Sequence, residues 1–576
     1  MSTKETLTGY PSIDKPWLRY YKEEAINAPL PECTIYGYLY ENNKDYTYRT
    51  ALNYFGRKIS YGQLFRNIEL TARALKSNGI DRGSIVTILT PTLPETVYLF
   101  YALGKIGAIA NMVDPRTSAE GICDYIQEVN SELLVVVDAA LPKIQEVLAQ
   151  TNVKKILVIS PADSLPTIPS ILYRIKHSNS SRMNKTCVSW KAFVAEGAEY
   201  NGIPDIEYER DQVVVIVHTG GTTGKPKGVM LTHNNLNASA FQCSISGMNF
   251  RREQTWLNIM PPFIAYGVGN GLHLPLIIGM ETILIPQFDP NKFDELLLKH
   301  KPNHMTGVPS HYGNIINSVK LKKKSLQYLI EPTVGGDAMN IELERQTNQF
   351  FKNHNSECLV VKGYGMTEVS AAVSVCATKA CNQIGSVGIP FTHTVISIFD
   401  PGTGKELPYN QQGEICITGP NTMLGYYNNT AATKEIIRKH ADGLDWVHSG
   451  DIGYMTEDGL LFIVDRIKRM LVRHDGFKVF PSMIEKVIVE HRAVKACCVV
   501  GTPDSNHRQG VLPVAHLVLN KEYVGQENSV KQELLSLCQK GLPEYAQPVE
   551  YRFRDALPLT AVGKVDYRTL EIDGGK

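Results

Sequence analysis

From Val213 to Asn235 the chain reads VVVIVHTGGTTGKPKGVMLTHNN, and this run restricts the possible fold more than any other. Val213 to Val217 are five consecutive β-branched residues, the mark of a strand buried on both faces. The strand runs into a loop of Gly, Thr and Lys, after which Thr232, His233 and Asn234 offer caps for a helix. Glycines let a backbone approach phosphate closely, the exposed N–H groups form an anion nest, and hydroxyls and lysines add donors and charge. Such a loop suits a polyphosphate; a Gly/Thr hairpin loop with solvated lysines is the plainer alternative. It is not a Walker A loop, because Gly220 and Gly224 enclose three residues rather than four and Pro226 follows Lys225.

At 576 residues the chain is too long for one core, and its length suggests about three to four units. With 43% hydrophobic and 20% charged residues and a net charge of +1, nothing points to nucleic acid or another polyanion as partner. The N-terminus lacks the apolar core of a signal peptide, and no run of apolar residues reaches membrane-spanning length. A cytoplasmic protein without a transmembrane segment is expected. The eleven cysteines follow no disulfide framework, which fits reduced thiols. Cys376 and Cys381 lack a second pair for zinc, and His300 and His304 are separated by Pro302 without the Glu of HExxH, so all four read as structural.

From Tyr61 the pattern alternates. Leu64, Ile68, Ala72 and Leu75 lie at helical spacing between Tyr61 and Asn78; Ile85 to Leu89 reads as a strand, Glu95 to Lys105 as a helix, and Leu133 to Val137 as a buried strand. This predicts largely parallel sheets with helices packed on them, an α/β fold. The Pro- and Ser-rich stretch Pro161 to Lys185 interrupts the rhythm as a surface excursion. Its Ile171, Leu172, Tyr173 and Ile175 beside Arg174, Lys176 and Arg182 form a basic amphipathic segment that could touch a membrane surface; a solvated loop with one packed helical turn is the alternative. Gly413 to Gly419 alternates like a strand. A boundary falls near Asp465-Arg466-Ile467-Lys468, and beyond it come a helix from Ser482, strands at Cys497–Val500 and Val514–Leu519, and a helix around Val530 to Cys538.

Three further motifs carry chemistry. In Gly363-Tyr364-Gly365-Met366-Thr367-Glu368, glycines give close backbone approach, Tyr can stack on a base, Thr can donate to phosphate and Glu can hold magnesium. In Ser449-Gly450-Asp451 with Arg466 downstream, a carboxylate suited to a ribose diol is backed by a guanidinium. Pro558 to Lys564, PLTAVGK, is a glycine-hinged loop presenting one lysine.

In this order and spacing the motifs resemble the adenylate-forming superfamily of acyl-CoA synthetases, luciferases and peptide-synthetase adenylation domains, from about residue 50 to 570. Gly107-Ala108 leading to Asp114-Pro115, Gly335-Gly336, and Gly425-Tyr426-Tyr427 agree with it. The resemblance implies a large N-terminal domain (1–466) of packed α/β sheets with a β-barrel-like subdomain, and a small mobile α+β C-terminal lid (467–576). It implies that Thr219, Gly220, Gly221, Thr222, Thr223, Gly224 and Lys227 hold the β- and γ-phosphates of ATP. Gly336, Asp337 and Tyr364 would line the adenine slot, with Gly335 and Gly365 beside the substrate. Thr367 would contact the α-phosphate and Glu368 bind Mg²⁺. Asp451 and Arg466 would take the ribose, Lys468 would be the pivot, Lys564 the adenylation lysine, and Gly476 would lie beside the pantetheine arm of coenzyme A.

Two departures refine the resemblance. Gly220 replaces a common Ser, and HTGGTTG resembles fatty acyl-CoA ligases. Pro262 to Tyr266 lacks the His of many acyl and aryl ligases and the Asp of amino-acid adenylating domains, which disfavours an α-amino acid. Phe263 and Tyr266 are candidate pocket walls. The expected activity is ATP-dependent carboxylate–CoA ligation through an acyl-adenylate, with a medium- or long-chain fatty acid or similar apolar acid. Loading of a carrier-protein pantetheine, and a non-catalytic acyl- or nucleotide-binding homologue, are the alternatives. Oligomeric state stays open.

Overall fold

The computed structural model describes residues 7–176, 186–219, 226–475, 477–507, 509–559 and 565–574. The chain builds an eight-stranded sheet, a nine-stranded sheet, a five-stranded antiparallel sheet and a three-stranded C-terminal sheet, with a two-stranded ribbon between the last two in sequence. The α/β reading holds. Strands Ile85–Leu89 and Leu133–Val137 fall where the apolar runs placed them and pair in parallel, Val86 opposite Leu133. Helix Tyr61–Ser77 buries Leu64, Ile68, Ala72 and Leu75 completely and starts at a capping box between Ser60 and Gln63. Each such side chain withdrawn from water contributes about 1.5–3 kcal/mol, Ala less.

Strand Val213–His218 sits inside the eight-stranded sheet, parallel to Ile109–Met112 and antiparallel to Gly228–Thr232. The Gly/Thr/Lys loop therefore joins two antiparallel strands before helix His233–Ser244 begins at the Thr232 cap, whose side chain accepts from the Asn235 N–H. The second strand has only Val229, Met230 and Leu231 as apolar residues, too few to announce itself beside the helix cap.

The expected barrel-like part is the five-stranded antiparallel sheet. Its order is Val395–Phe399, Gly413–Thr418, Asp445–Met455 and Ile437–Lys439, with Leu461–Arg466 added on Asp445–Met455; this order does not close on itself among the described residues. Downstream, Ile484, Val499, Leu517 and Leu534, from helices Pro481–Ile488 and Glu527–Gly541 and strands Val494–Pro503 and Val511–Leu519, form a separate apolar cluster with Leu471 of the ribbon. All eleven cysteines are free thiols. His304 is buried, bonded to Gln254 at 2.8 Å and stacked on Trp256, a core residue as expected. Among the described residues no helix is long and apolar enough to cross a membrane. The Pro- and Ser-rich excursion contains the helix Thr167–Lys176, more than the single turn considered as the alternative.

Candidate functional site

One continuous cleft runs between the sheets and is lined by Thr219, Lys227, Gly335, Gly336, Asp337, Tyr364, Gly365, Thr367, Glu368, Asp451, Arg466 and Lys468. At about 4160 Å³ it exceeds the 300–1,000 Å³ typical of a single small-molecule pocket, so it has room for more than one ligand. Three of the four sequence motifs, with the Gly335-Gly336 turn, thus line one space. The expectations for Gly220, Gly221, Thr222, Thr223, Gly224, Gly476 and Lys564 lie outside the described residues.

The centre of the cleft is the strand Val361–Met366 and the short turn Thr367–Val369 that follows it. From this segment two bonds reach two different sheets. The Tyr364 hydroxyl, on the nine-stranded sheet, donates to Asp451 Oδ2 at 2.7 Å, on the five-stranded sheet. Glu368 Oε1 accepts from the Tyr426 hydroxyl at 2.7 Å, on the edge strand Gly425–Tyr426 of the eight-stranded sheet. The two carboxylates are both buried but differ in charge pairing. Arg466 Nε lies 2.8 Å from Asp451 Oδ1, because Asp451 and Arg466 are register partners on neighbouring strands. Glu368 has no ion pair among the described residues; Arg466 and, more weakly, Lys227 act on it through their charge, and Lys227 Nζ lies 4.8 Å from the centre of the Tyr426 ring. Burial raises the Glu368 carboxyl above its ordinary value, and the Tyr426 hydrogen bond only partly opposes this. A buried carboxylate lacking a cation fits a divalent metal ion.

Ser449–Asp451, inside strand Asp445–Met455, is propped from behind. Glu414 Oε1 accepts the Gly450 N–H at 3.0 Å, and Glu414 Oε2 meets His448 Nδ1 at 2.8 Å. The Ser449 hydroxyl donates to the Ile415 carbonyl at 2.6 Å and accepts the Asp451 N–H at 3.0 Å.

At the root of the Gly/Thr/Lys loop the Thr219 N–H donates to the Lys227 carbonyl at 3.0 Å, and the Lys227 N–H donates to Thr219 Oγ1 at 3.1 Å. This double bond pattern clasps the loop ends whatever lies between. Beside it His218 is kept neutral by burial, its pKa down to about 4. Its Nε2 pairs with Asn111 Oδ1 at 2.7 Å, while Nδ1 has no partner among the described residues.

On the slot side, Gly336 turns the chain at φ +78°, a conformation that favours glycine. Asp337 is exposed and accepts the Ala338 N–H. The backbone is strained nearby: Ser370 and Ala371 have φ of +58° and +91°. The Ser370 carbonyl accepts from Ser239 Oγ and its hydroxyl donates to the Asn421 carbonyl, which hold the turn in place. The turn brings the Ala371 carbonyl against Gly365, where a Cβ would lie 1.6 Å from its oxygen. Only glycine fits there.

The far wall carries Phe263 and Tyr266, both in the lining. Tyr266 opens a π-helix, Tyr266–His273, an uncommon geometry that often marks functional sites. The Tyr266 phenol is raised to about 12 by burial. Gly335 stands 3.7 Å, measured from its would-be Cβ, from the Tyr266 ring and hydroxyl. Met260 and Val308 extend this wall.

Sequence reasoning did not assign Tyr426, His218 or Asn111 to the site. The Gly425-Tyr426-Tyr427 signature was visible, but the pairing of Tyr426 with Glu368 spans 58 residues and two sheets, and no local spacing encodes it.

The family model described as AMP-binding enzyme matches residues 39–427, and that described as AMP-binding enzyme C-terminal domain matches residues 483–564. The long-chain-fatty-acid–CoA ligase of Bacillus subtilis (strain 168) is 30% identical over 563 residues, covering 96% of this chain and 97% of its own. The 4-coumarate–CoA ligase 2 of Nicotiana tabacum is 29% identical over 541 residues, covering 92% of each. In fold, the chain is similar to the anthranilate CoA ligase AuaEII in complex with anthranoyl-AMP, with TM-score 0.81 at 20% identity over 95% of this chain and 98% of that one. ATP-bound MatB from Rhodopseudomonas palustris gives TM-score 0.80 at 22% identity, over 93% and 98%.

Proposed function

The chain belongs to the AMP-binding enzyme family, and on that premise we propose that it activates a medium- or long-chain fatty acid, or a similarly apolar carboxylic acid, for transfer to coenzyme A. Its class is that of the adenylate-forming acyl- and aryl-CoA ligases, acid–thiol ligases that consume ATP and CoA. The finer reading is ours. The observation that carries it is the convergence of Thr219, Lys227, Tyr364, Thr367, Glu368, Asp451 and Arg466 on one cleft whose far wall is Phe263, Tyr266, Met260 and Val308. No acid or base occupies Pro262 to Tyr266 to pair a second charged group on the substrate.

The reaction brings a carboxylate up to the α-phosphorus of ATP, so two anions must be held together and charge spread over the transferring phosphate. In this reading Asp451, held by Tyr364 and Arg466, accepts from the ribose hydroxyls and fixes the nucleotide. Thr219 and Lys227 hold the phosphates that leave, and Thr367 the one that stays. Glu368 and its neighbours would hold Mg²⁺, which when bound neutralises phosphate charge. Lys564 bridges the substrate carboxylate and the α-phosphate. Pyrophosphate leaves, and the acyl-adenylate is attacked by the CoA thiol after the unit beyond residue 466 turns about Lys468 and brings Gly476 to the pantetheine. The chain accordingly divides at 466/467.

The test is CoA-dependent AMP release with short, medium and long fatty acids, aryl acids and bile-type acids. A kcat/KM maximum among fatty acids is the expected result. A maximum among aryl acids would overturn the substrate, and adenylation without transfer to free CoA would move the acceptor to a carrier protein.

A further inference from the structure

Helix Pro481–Ile488 starts without a cap of its own. Its N-cap residue, Phe480, has no polar side chain, and Pro481 at the first helical position has no N–H. The first helical donor in need of a partner is therefore the Ser482 N–H. Its partner comes from far back in the chain. Asp465 Oδ2 accepts the Ser482 N–H at 2.8 Å, and the Ser482 hydroxyl donates to the Val464 carbonyl at 2.6 Å. The buried Asp465 carboxylate thus caps the helix and meets the positive end of its dipole.

The two bonds join groups that belong to different cores. Val464 and Asp465 lie on strand Leu461–Arg466, which pairs with Asp445–Met455, Ile452 opposite Asp465. Ser482 belongs to the C-terminal core, because Ile484 and Ile488 of its helix are buried in one cluster with Val499, Leu517 and Leu534. Lys468 lies in the chain between the partners. Arg469, next to it, is tied forward to Glu485 and to the Val499 carbonyl at 3.2 Å, and its contact back to Asp465 Oδ1 is a long 3.8 Å. A turn of the unit beyond residue 466 about Lys468 therefore carries Ser482 away from Val464 and Asp465 and breaks both bonds. Leu559 and Val565, on either side of the segment that contains Lys564, pair with each other and line the same cleft as Thr367, Asp451 and Arg466. On the two-step reading proposed above, the bonds of Ser482 thus belong to the arrangement of the adenylation step.

Resting on that reading, we infer that Ser482 is a positioning residue: its bonds to Val464 and Asp465 latch the unit beyond residue 466 in the arrangement that makes the acyl-adenylate, and they must break before the thioester is made. Bonds present in one of two arrangements shift the balance between them. Ser482 therefore sets the ratio of the two half-reactions and touches neither the nucleotide nor the acid.

The experiment compares the full chain with its Ser482→Ala and Ser482→Thr variants. Alanine removes the hydroxyl bond and leaves the N–H in place, whereas threonine keeps both. Without substrate, trypsin cleavage after Arg466, Lys468 or Arg469, read by mass spectrometry of the fragments, should run about three- to tenfold faster in Ser482→Ala, the factor that loss of one hydrogen bond gives. It should return to the wild-type rate in Ser482→Thr. With dodecanoic acid, the ratio of ATP–pyrophosphate exchange to thioester formation from supplied dodecanoyl-adenylate should fall by the same factor in Ser482→Ala and recover in Ser482→Thr. A general structural defect lowers both rates and leaves their ratio alone. An unchanged ratio, unchanged cleavage, or no recovery with threonine overturns the latch. Should no acid be activated at all, the two-step reading fails, and the cleavage rates alone decide whether the latch exists.

Discussion

The two tyrosine–carboxylate pairs of the cleft are built alike and finished differently. Tyr364–Asp451 and Tyr426–Glu368 share a 2.7 Å hydroxyl contact, a buried carboxylate and a bond that crosses between sheets. Asp451 has its cation in Arg466, delivered by strand register. Glu368 has none among the described residues, and burial holds its carboxyl above the ordinary range. A finished ion pair can recognise hydroxyls without further help, whereas an unfinished one is a place for a cation that arrives with the substrate. In the proposed reading this difference separates a nucleotide-orienting group from a metal-holding one, although one acid lies in the strand-and-turn and the other is bonded to it through Tyr364.

The largest expected effect lies outside both pairs and sets the scale for them. Lys564→Ala should cut carboxylate-dependent ATP–pyrophosphate exchange by about 10²–10³-fold, while thioester formation from supplied acyl-adenylate is largely spared; equal loss of both steps would remove Lys564 from the adenylation role. Next come the carboxylates themselves. Asp451→Asn and Glu368→Gln should each lower kcat/KM for ATP by roughly 10–100-fold, the size expected when a charge-assisted contact is lost. Only the Glu368 defect should shrink as Mg²⁺ is raised. Identical Mg²⁺ titrations for the two variants would erase the distinction drawn between them.

A smaller effect sharpens it. The Tyr426 hydrogen bond favours the ionised form of Glu368 against the burial that raises its pKa. Tyr426→Phe removes that help, so the pKa climbs further and the carboxylate form is lost at a higher pH. The acid limb of the kcat/KM profile should therefore move up in pH. Tyr364→Phe should leave the limb in place, because the Tyr364 hydroxyl bonds Asp451 and not Glu368. Profiles measured side by side decide this. The smallest effect is at the slot: a Cβ at Gly335 would meet its nearest atoms at 3.6 and 3.7 Å, ordinary contact distances. Gly335→Ala should change KM for ATP by no more than about twofold. A much larger change would mean that the nucleotide approaches Gly335 more closely than this geometry implies.

Much of this architecture was legible in the sequence because it rests on local signals. Buried β-branched runs such as Leu133–Val137, and the helical spacing from Leu64 to Leu75, need no knowledge of the rest of the chain. The motif residues that line the cleft could be singled out too, since glycines, hydroxyls and charges gathered in a short loop stand out. What stayed hidden depends on distant partners or on short elements. Strand Gly228–Thr232 was masked by the helix cap at its end, and the π-helix from Tyr266 has no local pattern of its own. The Tyr426–Glu368 contact exists only because two sheets meet. The strained carbonyl of Ala371 explains Gly365, which the sequence could mark only as a permissive residue.

The segment from Val361 to Val369 has a consequence for how the protein fails. It belongs to one sheet, bonds a second through Tyr364 and a third through Glu368. Loosening any one of the three sheets therefore opens the proposed nucleotide site, even while the other two keep their cores. ATP binding is lost at the weakest of three junctions rather than at the global melting of the chain, so on heating, catalytic inactivation should run ahead of the loss of helical signal, and bound nucleotide should close the gap between the two curves.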